Sequence, residues 1–390
     1  MSSFIITLMF VAALIAVILI WKNREDFSEP EAEEVVEDVR VSPLLRGINY
    51  LLSDKPDRAL QEMVQVAKIR SESAEVYMAL GEMFRAQGEY GRAVRIHQNI
   101  LARPDVPTEL HFQAYVSLGR DFQAGGLLDR ALKHYAKALA MQPDHLPSLY
   151  ACLRIREQSQ EWDEAEWLVS RLEQVEHQSY HEHRAYLKSE MAEMALEKGD
   201  VPLSESLAIE AIKLSPSCTH AHLLRLRQLI VATEYEQALA QAELFLNQTK
   251  PEHHMLLPEA LMLDHQFYRA YGEKFLLDMW HKHHDVEVGV RWVEQVSALD
   301  GVQAAKALKD KLVLKGLSLR HELRLTALDD IDSNLVQQAK CWRLSMKMFA
   351  CKQCGVQVHD MRWQCPKCNT WGSMEPLQGL HIFGEEQHVT

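Results

Sequence analysis

Four cysteines close to the C-terminus carry the clearest chemistry in this 390-residue chain. Residues 349–371 read FACKQCGVQVHDMRWQCPKCNTW, so Cys351, Cys354, Cys365 and Cys368 follow C-x2-C-x10-C-x2-C. Each C-x-x-C makes a tight turn that offers two thiolates to one ion. The ten-residue spacer is long enough for a β-hairpin that brings the two turns together. Four thiolates give a closed tetrahedral shell, which is structural and not catalytic, and which suits zinc or iron equally well. Gly355 and Asn369 each follow a second cysteine, where a left-handed backbone is needed, and Asn tolerates that conformation better than most residues. Pro366 stiffens the second turn, and Trp363 and Trp371 are placed to shield the sulfurs from water. His359 lies in the spacer and reads as a surface histidine, because the thiolates already complete the shell. A hairpin this small has almost no core, so the metal supplies much of its folding energy. The spacing predicts a module over 346–380 that docks against the last helices, with a tail over 381–390.

No comparable catalytic constellation is present. The chain has no G-x-x-x-x-G-K-[ST], no G-x-S-x-G and no H-E-x-x-H, which argues against an enzyme. Histidines cluster at His253-His254 and at His281, His283 and His284, and adjacent histidines on a polar helix face are expected in solvent. Cys152 falls on a core position and packs as a small hydrophobe, while Cys218 and Cys341 have no base near them in sequence. The remaining alternative for the four cysteines, disulfides, belongs to oxidising compartments.

The elements that must carry this module are helices. Small or core residues recur with a second such residue twelve positions on: Gly47 with Ala59, Gly81 with Ala93, Gly119 with Ala131, Leu153 with Ala165, Ala192 with Ser204, and Leu226 with Ala238. Successive pairs are 34, 38, 34, 39 and 34 residues apart. Turns at Gln87-Gly88-Glu89, Gly125-Gly126 and Lys198-Gly199-Asp200, and stops at Pro143 and Pro216, keep the same frame. This is the 34-residue tetratricopeptide pattern, in which two antiparallel helices cross closely at small side chains. Tyr90, Tyr135, Trp162 and Tyr235 are expected to fill the gaps beside the crossings. One hairpin cannot bury its apolar face alone, so the units stack into a superhelix whose first helices line a groove for protein partners. Six repeats are assigned to 42–250, and degenerate helical repeats to 251–345. Arg120, Arg154 and Arg227 share one frame position, with Arg85 nearby. They are candidate partner-binding residues because guanidinium forks suit carboxylates. Glu82, Glu157 and Glu193 lie close enough in sequence to pair with them instead.

Residues 4–21 form an unbroken run, FIITLMFVAALIAVILIW, whose only polar member is Thr7. As a helix it measures about 27 Å, close to the hydrocarbon thickness of a bilayer. Lys22 and Arg24 follow at once, and the N-terminal side carries no charged side chain. The alternative, a cleaved signal peptide, needs a basic start and a small-residue cleavage site that are missing. We therefore expect a transmembrane anchor over 1–21, with the rest on the cytoplasmic side. The linker over 22–41 is acidic, with eight carboxylates between 25 and 38. Net charge is −13, the opposite of a chain that grips nucleic acid through phosphate. The expected fold class is all-α: a tetratricopeptide-repeat superhelix with an N-terminal transmembrane helix and a small C-terminal four-cysteine β-hairpin module.

Anchor, repeats and a rubredoxin-like module in this order resemble the lipopolysaccharide assembly protein B family. The resemblance rests on GINYLLSDKPDRAL (47–60), LGEMFRAQGEYGRAVRIHQ (80–98), LGRDFQAGGLLDRAL (118–132) and the cysteine module with PLQGL (376–380). It implies a bacterial inner-membrane protein, single-pass, with repeats and metal module in the cytoplasm. It implies a non-catalytic adaptor that works with the membrane-anchored AAA metalloprotease to control the lipid A pathway deacetylase. It implies Cys351, Cys354, Cys365 and Cys368 as the metal ligands. The chain departs from the family in its longer acidic linker and in the extension HIFGEEQHVT after Leu380. A general scaffold for envelope enzymes and a rubredoxin-type electron carrier stand as alternatives, and a homodimer stays open.

Overall fold

The computed structural model describes residues 74–104, 106–328 and 334–377, with six single positions between 46 and 62. The apolar run over 4–21, the acidic linker, most of the first repeat frame and the 381–390 tail lie outside the described residues. Among the described residues, no helix is long and apolar enough to cross a membrane. The chain forms two compact units, one ending at Ala138 and one beginning at Leu139.

In the first unit, α1 (Ala74–Ala86) and α2 (Tyr90–Leu101) form a hairpin that packs on α3 (Thr108–Ala124), which is followed by α4 (Leu128–Met141), the helix in which the boundary falls. The frame positions explain the close packing. Gly81, Ala93, Gly119 and Ala131 are all buried. A Cβ at Gly119 would lie 2.5 Å from the Tyr135 ring, and one at Gly81 would overlap the His97 ring. Below His97 lies buried Asp121, with one carboxylate oxygen 2.6 Å from His97 Nδ1 and the other accepting from Arg85 Nη1 at 3.1 Å. Tyr135 fills its gap, whereas Tyr90 is exposed and only edges Gly125.

The second unit repeats the hairpin three times: α5 (Leu146–Gln158) with α6 (Trp162–Glu176), α7 (His181–Glu197) with α8 (Val201–Leu214), and α9 (Thr219–Val231) with α10 (Tyr235–Gln248). Ala192 and Ser204 meet at their crossing, where the serine hydroxyl donates to the Ala192 carbonyl at 2.6 Å. A left-handed residue closes each hairpin turn in the frame: Gly88, Gly126, Gln160, Gly199 and Thr233. Only three of these are glycine, which is why composition marks some turns and hides the others.

Beyond α10 the chain remains helical. A 3-10 turn (Pro251–Leu256) leads into α11 (Leu257–Leu261). Then α12 (His265–Phe267) runs through a π turn (Tyr268–Gly272) into α13 (Glu273–His283), followed by α14 (Val286–Asp300), α15 (Val302–Leu312), α16 (Leu319–Thr326) and α17 (Asn334–Ser345). Here Trp292 is buried, and its indole N–H donates to the Tyr268 hydroxyl at 2.9 Å. Arg324, fully buried on α16, forks onto Glu294 at 3.1 and 2.7 Å and also bonds Glu287.

Burial alone would push the Glu287 carboxyl up, but the His321 hydrogen bond and the Arg324 guanidinium outweigh it and hold it at about 2. The unfolded value is 4.5, so the stabilisation is complete above that pH and disappears as pH falls toward 2. Its size is about 3 kcal/mol. Acid unfolding followed by tryptophan fluorescence will show this loss in the native chain, and Glu287→Gln will remove that pH dependence.

The C-terminal module is a three-stranded antiparallel sheet, not a lone hairpin: β1 (Phe349–Cys351) lies between β2 (Gln357–Val358) and β3 (Met374–Pro376). Phe349 sits opposite Val358 on one side and Pro376 on the other. The sequence does not announce the third strand, because it has only three residues and no alternation to mark it.

Candidate metal centre

The first cysteine pair sits on the turn after β1, where the Gly355 N–H returns to the Cys351 carbonyl at 2.8 Å. The second pair sits on an equivalent turn, where the Asn369 N–H returns to the Cys365 carbonyl at 2.9 Å. Gly355 and Asn369 hold φ of 71° and 60°, the left-handed conformation their positions require. The two turns bring the four sulfurs within 4.8 Å of one another. Cys351 to Cys368 and Cys354 to Cys365 are each 3.6 Å between sulfurs. A tetrahedron with metal–sulfur bonds near 2.3 Å has edges of about 3.8 Å, whereas a disulfide needs about 2.05 Å. The donor set therefore fits one structural metal ion, zinc or iron, and not a pair of disulfides.

Hydroxyl groups flank two of the sulfurs. The Ser373 hydroxyl lies 3.3 Å from Cys351 Sγ, and the Thr370 hydroxyl 3.3 Å from Cys368 Sγ. Burial raises the Cys368 thiol, but the Thr370 hydroxyl and N–H and the neighbouring thiols bring it down to about 6. Burial pushes Cys365 up to about 12. Four like groups this close cannot all ionise without a cation, which is the role a bound dication fills. All four positions of the shell are protein sulfur, so the ion folds the module and leaves no open site for substrate.

The two tryptophans of the module face helices rather than serving only the sulfurs. Trp371 is buried and stacks on Tyr186 of α7 at 5.6 Å, with its edge toward Trp162 at 6.2 Å. Trp363 stacks on His220 of α9 at 4.6 Å and 11°. Glu157 of α5 is buried and joins the two bodies. One carboxylate oxygen accepts from Trp371 Nε1 at 2.9 Å and from His183 Nε2 at 2.6 Å, and the other from Gln364 Nε2 at 2.8 Å. The module thus sits across α5, α7 and α9, the first helices of three consecutive hairpins. Its apolar side enters a core that Phe349, Met348 and Met374 share with Leu256, Leu257 and Ile230. The expected contact with the last helices exists, but the repeats supply much of the seat.

His253 corrects a second expectation. It is buried, not solvated, and bridges α9 to the module. Its Nε2 donates to the Met374 carbonyl at 3.0 Å, which leaves Nδ1 to accept from the Thr219 hydroxyl at 2.6 Å. Burial lowers its pKa, in keeping with that neutral tautomer. His281, His283 and His284 are exposed, and His359 is a surface residue hydrogen-bonded to Asp360. Cys152 is buried, its thiol pushed up to about 11 by desolvation, as fits a packing role. Gly372 at φ 59° lies under Tyr186, and a Cβ there would come 2.6 Å from the phenol oxygen. Gly372→Ala is expected to lift the module from α7, read as faster hydrogen exchange across 363–376; unchanged exchange would contradict that seat.

The four arginines have different surroundings. Arg85 is half-buried and paired with Asp121 and Glu82. Arg120 and Arg154 are exposed, and Arg227 lies 3.7 Å from Glu193. Arg154 and Arg227 each line a separate cleft bordered by the metal module.

A family model described as the rubredoxin metal binding domain matches residues 349–376, and a tetratricopeptide repeat model matches residues 76–106. Lipopolysaccharide assembly protein B of Haemophilus influenzae is 28% identical over 377 residues, covering 91% of this chain and 92% of that protein. Lipopolysaccharide assembly protein B of Escherichia coli K12 is 23% identical over 349 residues, covering 86% and 89%. Among solved structures, a tetratricopeptide repeat protein from Parabacteroides merdae aligns with 14% identity and a TM-score of 0.34, over 73% of this chain and 96% of that one. The chain is similar to lipopolysaccharide assembly protein B over about nine tenths of its length, and the resemblance drawn from its own residues stands.

Proposed function

We propose that this protein is a non-catalytic, membrane-tethered adaptor that regulates lipopolysaccharide synthesis. In this reading it presents the lipid A pathway deacetylase to the membrane-anchored AAA metalloprotease. The 4–21 run holds it in the inner membrane as a single pass, with repeats and metal module on the cytoplasmic side. The support is the similarity to lipopolysaccharide assembly protein B over about nine tenths of the chain, combined with a metal module seated on the repeat helices where partners of such folds dock. Arg120, Arg154 and Arg227 supply exposed cations for partner contact, with Arg227 shared with Glu193. Arg85 contributes through its ion pairs more than as a free ligand.

Deleting the gene tests the reading. The deacetylase level should rise several-fold because degradation loses its adaptor, and an unchanged level would contradict it. Metal identity separates this from electron transfer. Purified protein is expected to hold one zinc per chain and to show no visible absorption, whereas an iron that cycles between oxidation states would support a carrier.

A further inference from the structure

We propose that the cleft between α5 and the metal module binds a carboxylate-bearing segment of a partner protein, with Arg154 and Arg362 as its anion ligands. The cleft has a volume of about 510 Å³. Arg154 and Gln158 stand on the repeat side, Arg362 and Asn369 on the module side, and Trp162 and Trp371 border the space between. Both arginines are exposed, and neither forms an ion pair or hydrogen bond among the described residues. In a chain of net charge −13, two unpaired guanidinium groups on one cleft are unusual.

The acids nearby do not pair with them. Glu157 lines the same cleft, but its two oxygens already accept from Trp371, His183 and Gln364. Glu190 is the other carboxyl on the wall, and burial raises its pKa toward the neutral form, against the pull of His220. Asp360, two residues from Arg362, feels its charge but faces solvent and bonds His359. Neither carboxyl of the wall bonds either arginine, so both guanidinium groups are left to face a ligand. Guanidinium forks recognise carboxylates in two-pronged geometry, which an ammonium cannot reproduce. Amide side chains on both walls suit the backbone of an extended peptide, and the indoles suit an adjoining apolar residue. These features favour a peptide over a lipid headgroup. The cleft exists only while the module is folded and seated, so metal loss removes the site as well as the module.

This inference rests on the adaptor reading for its purpose, but its test is independent of that reading. Metal-loaded full-length protein in detergent is titrated into a fluorescein-labelled octapeptide with four glutamates, and into its all-glutamine twin. The acidic peptide is expected to bind about tenfold more tightly than the twin and to weaken as salt rises. Arg154→Glu and Arg362→Glu are each expected to weaken it by about tenfold, and Arg154→Lys to recover only part. Arg95→Glu, an equal charge change on α2, leaves binding unchanged. Metal content of each variant confirms that the module is still folded. Equal binding of the two peptides, or an equal loss in Arg95→Glu, would overturn the proposal. Arginine-dependent binding of phosphatidylglycerol vesicles without peptide binding would overturn it too, in favour of a membrane contact. A gene deletion that leaves the deacetylase unchanged would remove the adaptor reading without touching this binding result.

Discussion

Removing the metal with a strong chelator, or replacing Cys354 by serine, is expected to release the whole C-terminal module from the repeats. The strands have three, two and three residues, too short to hold a sheet without the ion. Structural zinc sites contribute on the order of 10 kcal/mol or more to folding, so no other single change in this module should cost as much. Release uncovers Trp363 and Trp371, and withdraws Phe349 and Met374 from the core they share with Leu256 and Leu257. The expected readouts are a red-shifted tryptophan emission and rapid proteolysis within 346–377. The repeat helices keep their far-ultraviolet circular dichroism, because their crossings at Gly119, Ala165 and Ser204 do not involve the module. Unchanged protease resistance would show that the ion does not hold the module.

Glu157→Ala should have the second largest effect, and it leaves the metal in place. The buried carboxylate accepts three hydrogen bonds, two of them from the module. Truncation leaves the Trp371 indole N–H and the Gln364 amide facing a void, and hydrogen bonds to a buried charge are worth about 1.5–3 kcal/mol each. We expect docking to weaken by about 3 kcal/mol or more. Metal content stays at one ion per chain, while hydrogen exchange across 363–376 accelerates. Glu157→Gln should fall between, since one oxygen remains an acceptor but the new amide faces the Gln364 donor. Exchange rates equal to those of the native chain would contradict the hub role of Glu157.

The metal ligands are legible in the sequence because their geometry is local. Two C-x-x-C turns and a left-handed residue after each need no information from the rest of the fold. The repeat frame is legible for a related reason: a close helix crossing excludes large side chains, and that exclusion recurs at a fixed spacing. The seat of the module is not legible, because its contacts span long stretches of chain. Glu157 lies 207 residues from Gln364, and His253 lies 121 from Met374. Nothing near Glu157 distinguishes it from Glu82 or Glu193, which pair with arginines as their proximity suggests. Two tryptophans flanking the second cysteine turn are the available signal. A module this small has no interior for them, so they imply a surface to bury against. The pairing of Arg85 with Glu82 is local and legible, but its second partner, Asp121, is 36 residues away and is not.

In the proposed function, a metal-folded module held on the first helices of the repeats completes the adaptor. The most direct test is the half-life of the lipid A pathway deacetylase in cells whose only copy of this protein carries Glu157→Ala. The 4–21 run, the repeat crossings and the metal ligands are unchanged in that variant, and only the seating is lost. The half-life is expected to lengthen toward that of the gene deletion. A half-life equal to that of cells with the native protein would contradict it.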